Sequence, residues 1–187
     1  MTPVLKRSRG MSLVELSTVL AVASIVLALA APDLRALLQA QQLKAASSEL
    51  FSAVGLARAQ ALARGRIVVL APKDAPGRDW RSGWTVFVDG DGDGRPGPGE
   101  ERILEHGPLA SGMAVDFAFT SAAPPQHIAY NGAGRGCSAA NSSAARSGTL
   151  SLFHGGAVRR IKINMLGRAR LCDPAREAGC DGAAAPP

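Results

Sequence analysis

Between Met11 and Ala31 the chain carries one charge, Glu15, in a run of twenty-one residues that are otherwise apolar or small. As a helix rising about 1.5 Å per residue, this run is about 30 Å long, the thickness of a bilayer's hydrocarbon core. Lys6, Arg7 and Arg9 precede it without any acidic residue. Such a basic flank holds its end of a span in the cytoplasm and sends the C-terminal side of the span across the membrane. Glu15 is the misfit, because an ionised carboxylate in lipid costs a few kcal/mol. It must be neutral there, or paired.

Three readings account for the run. A cleaved secretory signal would use Ala28-Leu29-Ala30 as its processing site. A plain uncut anchor would need no processing, and neither reading explains a glutamate five residues past a glycine. The third starts from the residues themselves: a short basic leader ending in Gly10, then Met11, Ser12, Leu13, Val14, Glu15 and a long apolar helix. This resembles the class III leader of type IV pilins and pseudopilins, with Met11 standing where the family usually carries phenylalanine. The resemblance implies that a prepilin peptidase cuts between Gly10 and Met11 and that the new amino terminus is methylated. It also implies that Glu15 meets the amino terminus of a neighbouring subunit during assembly. The expected location is the inner membrane, single-pass with the C-terminal domain in the periplasm, and then a pilus or pseudopilus built with other pilin subunits.

The rest of the 187 residues suffices for one domain with a single core. Aromatic residues make up 4% of the chain, against 21 glycines and 12 prolines, so the core must be aliphatic and the connections many. Residues 32–64 continue the helix as an amphipathic half, with Pro32 expected to kink it. Leu34, Leu37, Leu38, Leu43, Ala46, Leu50, Val54, Ala57 and Ala61 recur mostly three or four apart, and Gly65 follows as a C-cap. Over 65–172 the period falls to two, with strands expected at 66–71, 83–88, 102–105, 114–119, 127–130, 149–153, 158–164 and 169–171. Residues 139–145 read as a loose loop, and the end of the 173–187 tail, from Asp181, as disordered. Pilin resemblance implies the same α+β fold, a long N-terminal helix packed on a C-terminal antiparallel β domain. Gly83-Trp84-Thr85-Val86-Phe87-Val88-Asp89, the Asp/Gly loop with Gly99-Glu100, and Gly167-Arg168-Ala169-Arg170 resemble the FimT/GspH group of minor pilins and pseudopilins.

Cys137, Cys172 and Cys180 would face the periplasm, where disulfides persist. Cys172 and Cys180 close a short loop and form the preferred pair, with Cys137 to Cys172 the alternative. No CxxC occurs and the three histidines are scattered, which argues against zinc. Nor do His106, His127 and His154 belong to any nucleophile and carboxylate constellation, so no enzyme activity is expected.

Asp89, Asp91, Asp93, Gly94 and Glu100 fit the calcium-loop template D-x-[DN]-x-[DN]-G-x5-E at every specified place. A strand leads into the loop where an EF-hand has a helix, and Pro96 and Pro98 fall inside it. A solvated Asp/Gly turn is the competing reading, and calcium is the one cofactor the sequence raises.

The charge is divided unevenly. Residues 73–116 hold nine acidic and five basic residues, whereas 130–171 hold seven basic and no acidic one. In Val158 to Asn164, alternation buries Ile161 and Ile163 and turns Arg160 and Lys162 outward, beside Arg159. Gly167 then reverses the chain, and Arg168 and Arg170 extend the row. Such a row matches successive phosphates of DNA without reading bases. A plain solvated strand face is the alternative. In FimT-like minor pilins of naturally transformable bacteria a C-terminal G-R-x-R motif is associated with DNA binding. By resemblance it falls on Gly167, Arg168 and Arg170 and implies sequence-nonspecific capture for natural transformation. GspH pseudopilins of type II secretion share the fold without that role, so a structural pseudopilus or pilus-priming subunit is the other function in view.

Overall fold

The computed structural model describes residues 12–187, apart from the side chains of 26 and 28–33. One helix, α1, covers Leu13–Arg64. It ends where expected: Gly65 takes a positive φ of 63° and donates its N–H to the Ala61 carbonyl at 2.9 Å, the left-handed stop that glycine makes without a Cβ penalty. The chain divides into two compact units after Leu38. In the first, the described apolar side chains are exposed, including Leu34 and Leu37. Within the second unit the apolar face of the helix enters the core from Leu43 onward. Among the described residues no helix is long and apolar enough to cross a membrane. The span expected over 11–31 falls partly on residues outside the description.

Within the second unit, from Gln39, the helix lies on two antiparallel sheets. The first has five strands in the order β3-β2-β1-β5-β6: β1 is Val68–Pro72, β2 Trp84–Val88, β3 Arg102–Glu105, β5 Ile128–Tyr130 and β6 Gly136–Cys137. The second has four, in the order β4-β7-β8-β9: β4 is Ala114–Phe119, β7 Gly148–His154, β8 Ala157–Ile163 and β9 Ala169–Cys172. Leu43, Leu50, Val54, Ala57 and Ala61 of the helix share one core with Leu70 and Val86 of the first sheet and Leu150 and Ile161 of the second. Period-two alternation produces this arrangement, since every second strand residue faces the helix.

Apart from its exposed edge strand β3, the first sheet is buried on both faces. Val69, Ala71, Phe87, Ala129, Cys137 and Ala139 form a second apolar cluster on the side away from the helix, which is why β1 reads as an unbroken apolar run rather than an alternating one. Its cover is the 138–146 loop, which is not loose. Ala145 bridges to Cys137, Ser138 donates to Ala144 at 3.0 Å, and Ala139 is buried.

Nor is the tail free. Cys172 and Cys180 form the disulfide, with Cα atoms 5.9 Å apart, while Cys137 stays a buried thiol. Beyond the bridge the chain crosses the outer face of the second sheet, where a Cβ on Gly182 would lie 2.7 Å from the Arg160 side chain and 3.0 Å from the Ser151 hydroxyl.

Candidate nucleic-acid interface

β8 and β9 pair antiparallel with Lys162 opposite Arg170 and Arg160 opposite Cys172. Ile161 and Ile163 enter the core as alternation requires, and the cations at 160, 162 and 170 take the other face. The structure separates them by how they are held. Arg160 is 6% exposed, and its guanidinium donates to the carbonyls of Cys180 and Ala183, the latter at 2.6 Å. It tethers the tail and is buried, unlike the outward-facing position expected from alternation. Arg159 is also engaged, 2.8 Å from the Asp173 carboxylate. Lys162 and Arg170 both donate to the Gly179 carbonyl, at 3.0 and 2.9 Å. The Asp181 carboxylate also lies 3.8 Å from Lys162, whereas Arg170 meets only the neutral carbonyl, which a phosphate oxygen outcompetes in charge-assisted bonding.

Arg168 differs from the others. It is exposed, and its guanidinium has no partner among the described residues. The turn that carries it is firm, because the Asn164 side-chain oxygen accepts from the amides of Leu166 and Arg168, both at 3.0 Å. Gly167 closes the turn at φ 76°. A Cβ there would sit 2.9 Å from the Tyr130 ring and closer still to the Gly134 carbonyl. Glycine is required both for its backbone angle and for the close approach of the turn to the first sheet. Ser147, Thr149, Lys162, Asn164, Arg168 and Arg170 line an open depression of about 530 Å³ with no carboxylate in its lining.

The acidic loop is arranged otherwise. Asp89, Asp91 and Asp93 bring one oxygen each within 4.8 Å of one another. Glu100 does not join them: its two oxygens accept from the amides of Gly90 at 2.7 Å and Gly97 at 2.8 Å. Asp89, nearly buried, accepts from Gly92 and Gly94, and Asp93 from Arg95. Burial holds the Asp89 carboxyl above its usual range against those two amide bonds. The loop thus spends its carboxylates on its own backbone, and the fourfold convergence of the calcium template is not formed.

His127 lies behind this loop, Nδ1 on the Pro125 carbonyl at 2.8 Å and Nε2 accepting from the Ala139 amide at 3.2 Å. His106 pairs with Glu49 and His154 with Gln42, so the three histidines remain apart. Trp80 and Trp84 are core residues. Glu15 sits in the exposed first turn of α1, while Gly10 and Met11 lie outside the described residues.

Periodicity does not single out Arg135, Met165 or Leu166, which the fold exposes, with Met165 in the lining that also holds Arg168. Their one sequence signal is membership of the acid-free stretch.

The family profile described as Type II transport protein GspH matches residues 46–167, about two thirds of the chain, from the buried half of the helix to Gly167. The chain belongs to the GspH family. The type IV minor pilin FimU of Pseudomonas aeruginosa superposes with a TM-score of 0.54 at 18% identity, covering 76% of this chain and 96% of FimU. The minor pseudopilin EpsH of Vibrio cholerae does so with a TM-score of 0.52 at 16% identity, covering 72% of this chain and 99% of EpsH. No curated protein sequence matches. The GspH-family chain therefore has the α+β fold of these pilin-like structures, a long N-terminal helix on antiparallel sheets.

Proposed function

We propose that this GspH-family chain is a type IV minor pilin that captures DNA through phosphate contacts for natural transformation. The observation carrying this reading is the acid-free depression in which Lys162, Arg168 and Arg170 converge, with the Arg168 guanidinium unpaired among the described residues. Gly167 positions the turn, and the disulfide holds Gly179 beside the other two cations. Processing after Gly10 by a prepilin peptidase and pairing of Glu15 with the Met11 amine of a neighbour would deliver the domain from the inner membrane into a filament. Glu15→Ala is expected to leave the chain in the membrane and out of filaments.

Three phosphate contacts on duplex DNA give a log-log salt slope of roughly −2.7. The test is a salt titration of DNA binding by the full chain in detergent, with duplexes of unrelated sequence. Equal affinities for the different sequences and a slope near that value support the reading; salt-insensitive or absent binding rejects it.

A second reading has its own support. Arg159 and Arg160 are committed to Asp173 and to the tail, as in a domain that uses its cations to hold itself together. On that reading the chain is a structural subunit of a type II secretion pseudopilus, or one that primes a pilus, and absence of DNA binding is its expected result.

A further inference from the structure

Met165 and Leu166 form the tip of the turn between β8 and β9 and are 59% and 57% exposed. Two adjacent large apolar side chains held this far into solvent gain nothing for the domain's own core. They are also held in place: the Asn164 oxygen receives the amides of Leu166 and Arg168, and Gly167 donates to the Asn164 carbonyl at 2.9 Å. Met165 borders two depressions, the one containing Lys162, Arg168 and Arg170, and a second of about 500 Å³ containing Arg135, Asn131, Ser142 and Ser143. Neither has a carboxylate in its lining.

A polyanion crossing from one depression to the other must pass over an apolar tip with a cation on each side. Phosphates suit Arg135, Arg168 and Arg170, whereas the tip offers nothing to a phosphate and a contact surface to a base. We infer that Met165 and Leu166 contact bases, so that the site prefers single-stranded or frayed DNA to intact duplex. The inference rests on the DNA-binding reading above and adds the form of the ligand. The preference arises from where bases are: in a single strand their faces are available, but in a duplex an apolar side chain reaches them only by unstacking a step, at a few kcal/mol. A turn already fixed by its own hydrogen bonds loses little freedom on contact.

The test compares binding of the full chain in detergent to an oligonucleotide of about thirty nucleotides and to its duplex, beside a Met165→Ser, Leu166→Ser variant. Both side chains are exposed and the turn's bonds are made by backbone and Asn164, so the variant should melt with the unsubstituted chain. Expected is about tenfold tighter binding of the single strand, abolished in the variant, with duplex affinity and salt slope unchanged. Equal affinity of the unsubstituted chain for both forms, or an equal weakening of both by the substitutions, would overturn the base contact while leaving the phosphate reading intact. Absence of salt-dependent binding to either form would remove both. If the variant instead fails to adsorb to phosphatidylglycerol vesicles that the unsubstituted chain binds, while its DNA binding is unmoved, the tip is a membrane contact and the inference fails.

Discussion

Arg160 on β8 donates to the carbonyl of Ala183 at 2.6 Å, so the last residues of the chain are fastened to the face of the second sheet by the cation at its centre. Gly182 passes over that guanidinium, and the Cys172–Cys180 disulfide anchors the segment just before it.

Replacing this tether should be read in stability and not in binding. A hydrogen bond to a charged group contributes about 1.5–3 kcal/mol, and Arg160 makes two. Arg160→Ala is expected to lower unfolding free energy by about 3–6 kcal/mol in urea titrations and to leave the tail open to carboxypeptidase. DNA affinity should stay within about twofold. A drop in affinity of about tenfold in a fully folded variant would restore Arg160 to the phosphate row.

Gly167→Ala tests the turn. A left-handed backbone costs a residue with a Cβ about 1–2 kcal/mol, and the approach to Tyr130 and Gly134 leaves that Cβ no room. We expect destabilisation above about 2 kcal/mol in thermal or chemical melts, together with weaker DNA binding as Arg168 is displaced. An unchanged melt would mean that the turn has slack that the packing against Tyr130 does not show.

His127 makes stability depend on pH. Burial is the main cause holding its pKa below the usual 6.5, joined by the Arg146 guanidinium and opposed by the Pro125 carbonyl and Asp93. With Nδ1 donating to Pro125, Nε2 must be unprotonated to accept from Ala139. In this window the unfolded chain binds more protons than the folded one, so the contribution is complete above about 6.5 and fades as pH falls below it. Urea midpoints should drop between about pH 7 and pH 5, with the 138–146 loop losing hydrogen-exchange protection first. His127→Gln should flatten that part of the profile; an identical pH dependence in the variant would assign it elsewhere.

The parts of the fold legible in the sequence are those where one periodicity has one cause. Strands at 102–105 and 114–119 coincide with β3 and β4, and Gly65 ends α1 as a C-cap. β6 escapes because two residues, Gly136 and Cys137, carry no pattern. The loop over 139–145 and the tail from Asp181 look loose by composition. Their order comes from contacts distant in sequence, His127 to Ala139 and Arg160 to Ala183, that no local window contains. The same limit applies to the cation row: alternation finds which face Arg160, Lys162 and Arg170 share, but not that a disulfide-closed loop lays carbonyls over that face. Gly167 and Arg168 are visible as a motif; the packing against Tyr130 supplies the physical reason for the glycine.

The most direct test of the central claim is DNA binding by the full chain carrying Arg168→Ala and Arg170→Ala, at fixed salt and then across a salt series. The control is Arg81→Ala, which removes a cation paired with Asp79 in the acidic half. On duplex DNA, removing one phosphate contact makes the salt slope shallower by about 0.9. The account predicts that the double variant melts normally, binds at least about tenfold more weakly at low salt, and shows a salt slope shallower by roughly 1.8, while the control binds as the unsubstituted chain does. Equal binding by all three chains would contradict it and leave a filament subunit whose basic strands serve its own fold.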